Sequence, residues 1–294
     1  MNTVRTASEI RRSLALLRGT SRIGLVPTMG AFHDGHVALF RAARRSSDLV
    51  VVSSFVNPAQ FGDPADLAAY PRDEARDARI AAEEGIDLLF VPDVADIYPA
   101  GYATWIEVGG PARGLEGDFR PGHFRGVATV CLKLFTIVRP AVACFGQKDA
   151  QQVAVVTQLV RDLNLDLQIQ IVPTVRDCDG LALSSRNLRL SPDERARALA
   201  IPRALAAGLA ASREGRDPVA AARALLTGLE PDYVSVADLN GRPTLAVAVR
   251  VGGTRLIDNV VLDSTSAFPG PGVAERSQSL KEPGHEQAAA AHRT

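Results

Sequence analysis

The stretch IGLVPTMGAFHDGHVALFRAARRSSDLVVVSSFV, residues 23–56, sets two short β-rich runs on either side of an amphipathic segment. IGLV and the LVVV that opens LVVVSSFV are continuous rather than alternating apolar runs, as strands covered by helices on both faces require. Between them the spacing predicts a helix over about 36–45. Strand, helix and strand in succession read as one β/α unit of a parallel sheet. Two of the chain's five histidines, His33 and His36, stand three apart where turn-forming residues give way to that helix.

Moving outward, the alternation continues. A helical pattern over about 72–84 precedes DLLFVP, and VATVCLKLFTIV, AVACF, QQVAVVTQLVRDLN and LQIQIV carry it to about residue 172. Val153, Val156 and Val160 fall on one helix face. The opening MNTVRTASEIRRSLALLRGT reads as a polar amphipathic helix, without the apolar region and cleavage site of a signal peptide. Around 176–190 the style changes. Ser191 as N-cap, Pro192 in the first turn and Glu194 form a capping box, and a second helix spans about 218–229. DYVSVADL, LAVAVRV and RLIDNVVL then read as three strands separated by turns. The expected architecture is therefore an α/β chain: a parallel-sheet domain over 1–175, a smaller α+β domain over 176–263, and a disordered tail over 264–294, where apolar periodicity stops.

Composition narrows the function. Lys plus Arg and Asp plus Glu balance at 33 each, so no overall basic field draws the chain to nucleic acid or anionic membrane. No apolar run reaches the length of a membrane span. The three cysteines lack metal or redox pairing, and Cys131 and Cys144 sit in apolar runs, as expected of buried thiols in a reducing compartment. The cytoplasm is the expected location.

In a parallel α/β sheet, ligands bind at the carboxyl ends of the strands. The loop after the first of these strands holds Pro27, Met29 and Gly30 before His33 and His36, and the N-terminal amides of the next helix face whatever the histidines face. That combination suits a polyphosphate, although an HxxH pair alone also suits an ordinary turn. FVNPAQF follows the next strand, and its Asn57 and Gln60 offer amide donors and acceptors fit for a hydroxy acid. Arg120 and His123 precede a helix. GQKDAQQ, residues 146–152, combines Gly146 for close approach, Lys148 for phosphate and Asp149 for a ribose hydroxyl, with Gln151 and Gln152 opening the next helix. Ser184, Ser185 and Arg186 read as a phosphate clamp at the domain junction.

PTMGAFHDGH, FVNPAQF, AAYPR, RPGHFRGVATVCLKLF, FGQKDAQQ, VPTVRDCDGLALSSRN and RLIDN occur in the order and spacing of the pantothenate synthetase, or pantoate–β-alanine ligase, family, which this chain resembles over about residues 5–263. The first motif resembles the HxGH signature shared with nucleotidylyl transferases and class I aminoacyl-tRNA synthetases. The resemblance implies a Rossmann-like N-terminal domain, a smaller C-terminal domain that moves over the site, and a homodimer formed through N-terminal domains. It also implies an ATP- and Mg²⁺-dependent reaction in two steps: pantoate gives pantoyl adenylate and pyrophosphate, and the amine of β-alanine then displaces AMP to give pantothenate. Carried over by motif, His33 and His36 would contact the ATP phosphates and Lys148 would bridge charge in the transition state. Ser184, Ser185 and Arg186 would grip the phosphates. Gly146 and Asp149 would hold the ribose, with Pro27, Val175 and Leu183 around the adenine. Gln60 and Gln152 would hold pantoate, with Met29 lining its pocket. Protein ligands for Mg²⁺ are not evident, so phosphates and water are expected to hold it.

The chain departs from the family pattern at Gln147, where Glu is usual, at Ala150, usually larger, at Phe32, commonly leucine, and at Ala65, often acidic. None of these removes a group assigned above. Rival readings are a nucleotidylyl transferase that leaves AMP on its product, a tRNA synthetase, for which the neutral charge offers little grip, and a nucleotide-binding regulatory protein. The full set of His33, His36 and Lys148, with Gln60 and Gln152, favours the ligase.

Overall fold

The computed structural model describes residues 1–263 and Phe268; the rest of 264–294, read above as a disordered tail, lies outside the described residues. Six strands form the larger sheet: β1 Asn2–Val4, β2 Ile23–Thr28, β3 Leu49–Ser54, β4 Leu88–Phe90, β5 Val142–Gly146 and β6 Gln168–Val172. They lie in the order β1-β4-β3-β2-β5-β6, and every neighbouring pair is parallel.

The apolar runs explain the layering. Along β2 and β3, Ile23, Leu25 and Val51 face one core with the helix His123–Val138, while Val26, Val50 and Val52 face another with the helix Asp34–Ser46. Val50, Val51 and Val52 have no exposed surface, and burial of each contributes about 1.5–3 kcal/mol. Gly126 lets the helix His123–Val138 lie against the loop after β3, since a Cβ there would meet the Ala59 carbonyl oxygen at 2.3 Å.

A second, antiparallel sheet consists of β7 Pro231–Leu239, β8 Arg242–Val251 and β9 Thr254–Val261, in that order. Its inner face packs on the helices Ala200–Arg213 and Pro218–Ala224 through Leu205, Leu209, Ala222, Leu245, Val247 and Val249, a core separate from the first two.

The structure corrects three local expectations. The N-terminal segment opens as β1, which pairs with the otherwise open edge of β4; the helix begins only at Ala7, fixed by a capping box between Thr6 and Glu9. The helix capped by Ser191, whose box with Glu194 is present, ends at Ala198 and is followed by a separate helix from Ala200. Pro202 accounts for the break, because it lacks the N–H that would bond four residues back, to Ala198, and crowds that carbonyl. The helix from Pro218 stops at Ala224, and Leu226 and Leu229 pack into the second core from the following turn.

Candidate functional site

The chain steps outward from β2 through β3 to β4, then returns to β5 on the other side of β2 and continues to β6. Such a reversal leaves a crevice beyond the carboxyl ends of the two central strands. One cleft occupies it. Pro27 enters from the end of β2, Met29 from the loop after it, His33 and His36 from the start of the helix Asp34–Ser46, Gln60 from the turn after β3, Gly146 from the end of β5, and Lys148, Asp149 and Gln152 from the turn and helix start that follow. Val175 follows β6, and Leu183, Ser184, Ser185 and Arg186 close the far wall. Every residue that the family motifs assign to nucleotide or pantoate thus borders the same space, whereas Gly30 and Gln151 do not. Tyr70 and an apolar floor of Phe55, Val127, Val130, Cys131 and Leu134 were missed; nothing but ordinary core spacing marks the floor residues in the sequence.

The two histidines are fixed by the helix they start. His33 is the N-cap of Asp34–Ser46, its Nδ1 accepting from the Gly35 amide at 3.1 Å, while His36 Nδ1 accepts from the His33 amide at 3.3 Å. With both Nδ1 atoms accepting, the neutral rings carry their protons on Nε2. Burial, reinforced by the Lys148 charge, lowers the His33 pKa to about 4. His36 is held well below its ordinary value by burial and then by His33, whose ring centre is 4.2 Å away. The cleft is therefore offered two uncharged N–H donors at neutral pH.

An amide relay orients Gln60. Tyr98 donates to Asn57 Oδ1 at 2.9 Å, and Asn57 Nδ2 donates to Gln60 Oε1 at 3.0 Å. The Gln60 amide nitrogen is left near Met29 Sδ, at 3.0 Å, so the group turned to a ligand is a donor suited to carboxylate or hydroxyl oxygen. His123 Nδ1 lies 3.0 Å from the Gln60 carbonyl oxygen and its Nε2 is 3.3 Å from Arg120 Nη1. Burial, with the Arg120 charge, lowers the His123 pKa to about 4. Of the adjacent glutamines, only Gln152 lines this cleft. Gln151 is buried and pins the loop before the short helix Glu116–Phe119, donating to the carbonyls of Pro111, Arg113 and Gly114 and accepting from the Glu116 amide.

The turn carrying Lys148 is held from the second sheet. Asn259 on β9 donates to the carbonyls of Gln147 and Lys148 at 3.0 and 2.9 Å and accepts from Gln147 Nε2 at 3.1 Å. The departure at Gln147 thus supplies a donor to that contact, and Ala150 packs under Ala154 and Leu239. On the opposite wall Ser184 caps the turn Ser185–Arg189, and Ser185 lies 3.4 Å from the Tyr70 hydroxyl. Arg186 and Arg189 each bond one oxygen of Asp66, both at 3.0 Å. Burial alone would raise the Asp66 pKa, but the two guanidiniums outweigh it and lower it.

A pH consequence follows from the buried imidazoles. His33 and His123 stay neutral in the folded chain down to about pH 4, whereas unfolded histidines take up protons below about pH 6.5. The unfolded state then binds more protons, so stability is complete above that value and falls as pH drops toward 4. The urea midpoint should decline between pH 7 and pH 5, before the lowered carboxylates begin to titrate; a flat profile there would contradict neutral burial.

Among the described residues, no cluster of three or more His, Cys, Asp or Glu side chains could hold a metal ion. Cys131, Cys144 and Cys178 are free, and no described helix is long and apolar enough to cross a membrane.

Residues 2–261 match the family model described as pantoate-beta-alanine ligase. The chain is 49% identical over 280 residues to a pantothenate synthetase of Roseiflexus sp. (strain RS-1), covering 90% of this chain and all of that one. A pantothenate synthetase of Thermus thermophilus superposes with a TM-score of 0.84 at 43% identity, over 89% of this chain and 99% of the other. A pantoate-beta-alanine ligase of Francisella tularensis, complexed with beta-gamma ATP and beta-alanine, gives a TM-score of 0.79 at 36% identity, over 92% and 99% of the two chains.

Proposed function

Because the chain belongs to the pantoate–β-alanine ligase family, we propose that the cleft described above is where it joins pantoate to β-alanine at the expense of ATP, through a pantoyl adenylate. The observation that carries this assignment is the convergence, in one cleft, of two neutral histidine donors at a helix start, Lys148, and the oriented amide of Gln60.

The chemistry follows from these groups. The pantoate carboxylate attacks the α-phosphorus of ATP, and pyrophosphate leaves as the P–O bond breaks. This step needs alignment and charge stabilisation rather than a protein nucleophile. His33 and His36 donate through Nε2 to phosphate oxygens without adding fixed charge, the amides at the start of Asp34–Ser46 act with them, and Lys148 supplies the cation. Ser184, Ser185 and Arg186 hold the phosphates from the far wall. Gly146 and Asp149 take the ribose, and Pro27, Val175 and Leu183 enclose the adenine. Gln60 and Gln152 hold the acid beside Met29. In the second step the β-alanine amine attacks the acyl carbon of the adenylate and AMP departs.

Among the described residues Asp149 is the one carboxylate lining the cleft, so the donor set fits a Mg²⁺ held chiefly by phosphates and water. Bound there, it would offset phosphate charge. We assign residues 1–175 to nucleotide and pantoate binding and 176–263 to a closing lid. The separate core of the second sheet supports the lid assignment, and the Asn259 contacts support its coupling to the Lys148 turn. A homodimer built through residues 1–175 and a cytoplasmic location, consistent with free thiols, complete the reading.

Products formed from Mg·ATP and pantoate, with and without β-alanine, test it by mass spectrometry. Pantothenate and AMP should accumulate only with all substrates present, and pantoyl adenylate should be detectable without the amine. Release of pyrophosphate with AMP retained on the final product would instead indicate a nucleotidylyl transferase. Gln60→Ala should raise the KM for pantoate about tenfold or more while leaving that for ATP within about twofold, as expected when a donor to one substrate is removed. Unchanged pantoate saturation would reject the Gln60 assignment.

A further inference from the structure

We propose that Asp77, which does not border the cleft, is a positioning residue for the phosphate-facing histidines, holding the loop before His33 in an otherwise unfavourable backbone conformation. The inference deepens the reading of His33 and His36 given above and rests on it for its functional consequence.

Gly30 and Ala31 both have positive φ, +79° and +53°. The first is at home there, whereas alanine carries a Cβ that disfavours the left-handed region. A side chain at position 30 is excluded as well, because its Cβ would lie 2.8 Å from both Asp77 Oδ2 and Ser54 Oγ. The Gly30 amide is taken by Thr28 Oγ1 at 3.1 Å, and the turn leaves the next two amides, of Ala31 and Phe32, pointing at the Asp77 carboxylate, which holds them as an anion would. Its Oδ2 accepts from the Ala31 amide and its Oδ1 from the Phe32 amide, both at 2.8 Å. Asp77 is 2% exposed. Arg76 also donates to the Phe32 carbonyl at 3.0 Å, so the helix Glu74–Glu83 grips both faces of one peptide segment.

The next residue is His33. Phe32, fully buried, packs edge-on against Phe40 and tilts over the His36 ring at 5.4 Å. The angle at which the chain enters the helix, and with it the aim of both imidazoles, is thereby set by a carboxylate more than forty residues away.

Asp77→Asn preserves shape but turns one acceptor into a donor facing an amide, so one of the two bonds is lost. In the full chain this variant should keep its Tm within a few degrees and the KM for pantoate within about twofold, while kcat for pyrophosphate release falls about tenfold to a hundredfold, the effect expected of misaimed groups. The ¹⁵N imidazole signals of His33 and His36 should move in the substrate-free protein, a readout that needs no catalysis. Adding Ala31→Gly, which relieves the left-handed strain, should recover about half of that loss on a logarithmic scale. A folded Asp77→Asn with wild-type kcat, or with His33 and His36 signals unchanged, overturns the proposal. Should Asp77→Asn not fold, the Ala31→Gly, Asp77→Asn double variant carries the same test: unchanged imidazole signals overturn it. A wild-type protein that releases no pyrophosphate would count against the assigned reaction, while the imidazole signals would still decide the role of Asp77.

Discussion

Lys148→Ala is expected to slow pyrophosphate release from ATP and pantoate by about a hundredfold to a thousandfold, as loss of one preorganised charged contact in a transition state does. The side chain is only 19% exposed, and its turn is braced by Asn259 through the carbonyls of Gln147 and Lys148. The ammonium is therefore delivered by a backbone that does not depend on the ammonium for its shape. The fold should survive, with Tm little changed, and the loss should appear in kcat more than in the KM for pantoate. Single-turnover pyrophosphate release is the direct measurement. A folded variant that releases pyrophosphate at the wild-type rate would remove Lys148 from the mechanism.

The second large effect concerns stability. Arg176 and Asp258 form a two-bond ion pair at 2.6 and 3.0 Å, with side chains 7% and 2% exposed. Asp258 also accepts from the Asn259 amide at 2.8 Å. Asp258→Ala leaves a buried guanidinium without its counter-ion, which costs about 3–5 kcal/mol. Replacing both partners, as in Arg176→Met with Asp258→Ala, should recover most of that loss, because the desolvated charge is then gone. Urea denaturation of the single and double variants closes the cycle. Equal destabilisation in the two would mean that packing, and not the stranded charge, sets the cost.

Much of the fold was legible because burial on both faces forces a recognisable text. The uninterrupted apolar runs at 23–26 and 49–52 announce a covered parallel sheet, and Ser191 with Glu194 announces a helix start that the structure reproduces. Three-residue β1 was not legible, since its pairing partner β4 lies more than eighty residues away and a strand so short has no period. The break before Ala200 could have been found from Pro202 alone.

The residues that border the cleft were legible because strand-end loops collect most of them. Their supports were not. Asp77, Asn57 and Asn259 act through hydrogen bonds to distant segments that only the folded chain brings together, and a lone carboxylate in a charged helix such as Glu74–Glu83 resembles any solvated one. Gln151 and Gln152 are neighbours with opposite duties, one tying down a loop and the other lining the cleft, and residue chemistry alone does not separate them; only the family motif does.

The pairing of Asp66 with Arg186 and Arg189 has a consequence for which anions the cleft admits. A guanidinium already satisfied by an internal carboxylate is a poor landing place for chloride or a lone phosphate, which must compete with a tethered rival of high local concentration. On the reading proposed above, a triphosphate held by the helix start and Lys148 would arrive with its own tether and so compete with Asp66 far better than a free anion. Arg186 would then act as a latch released by proximity, free to leave Asp66 only for a ligand already seated at its other end.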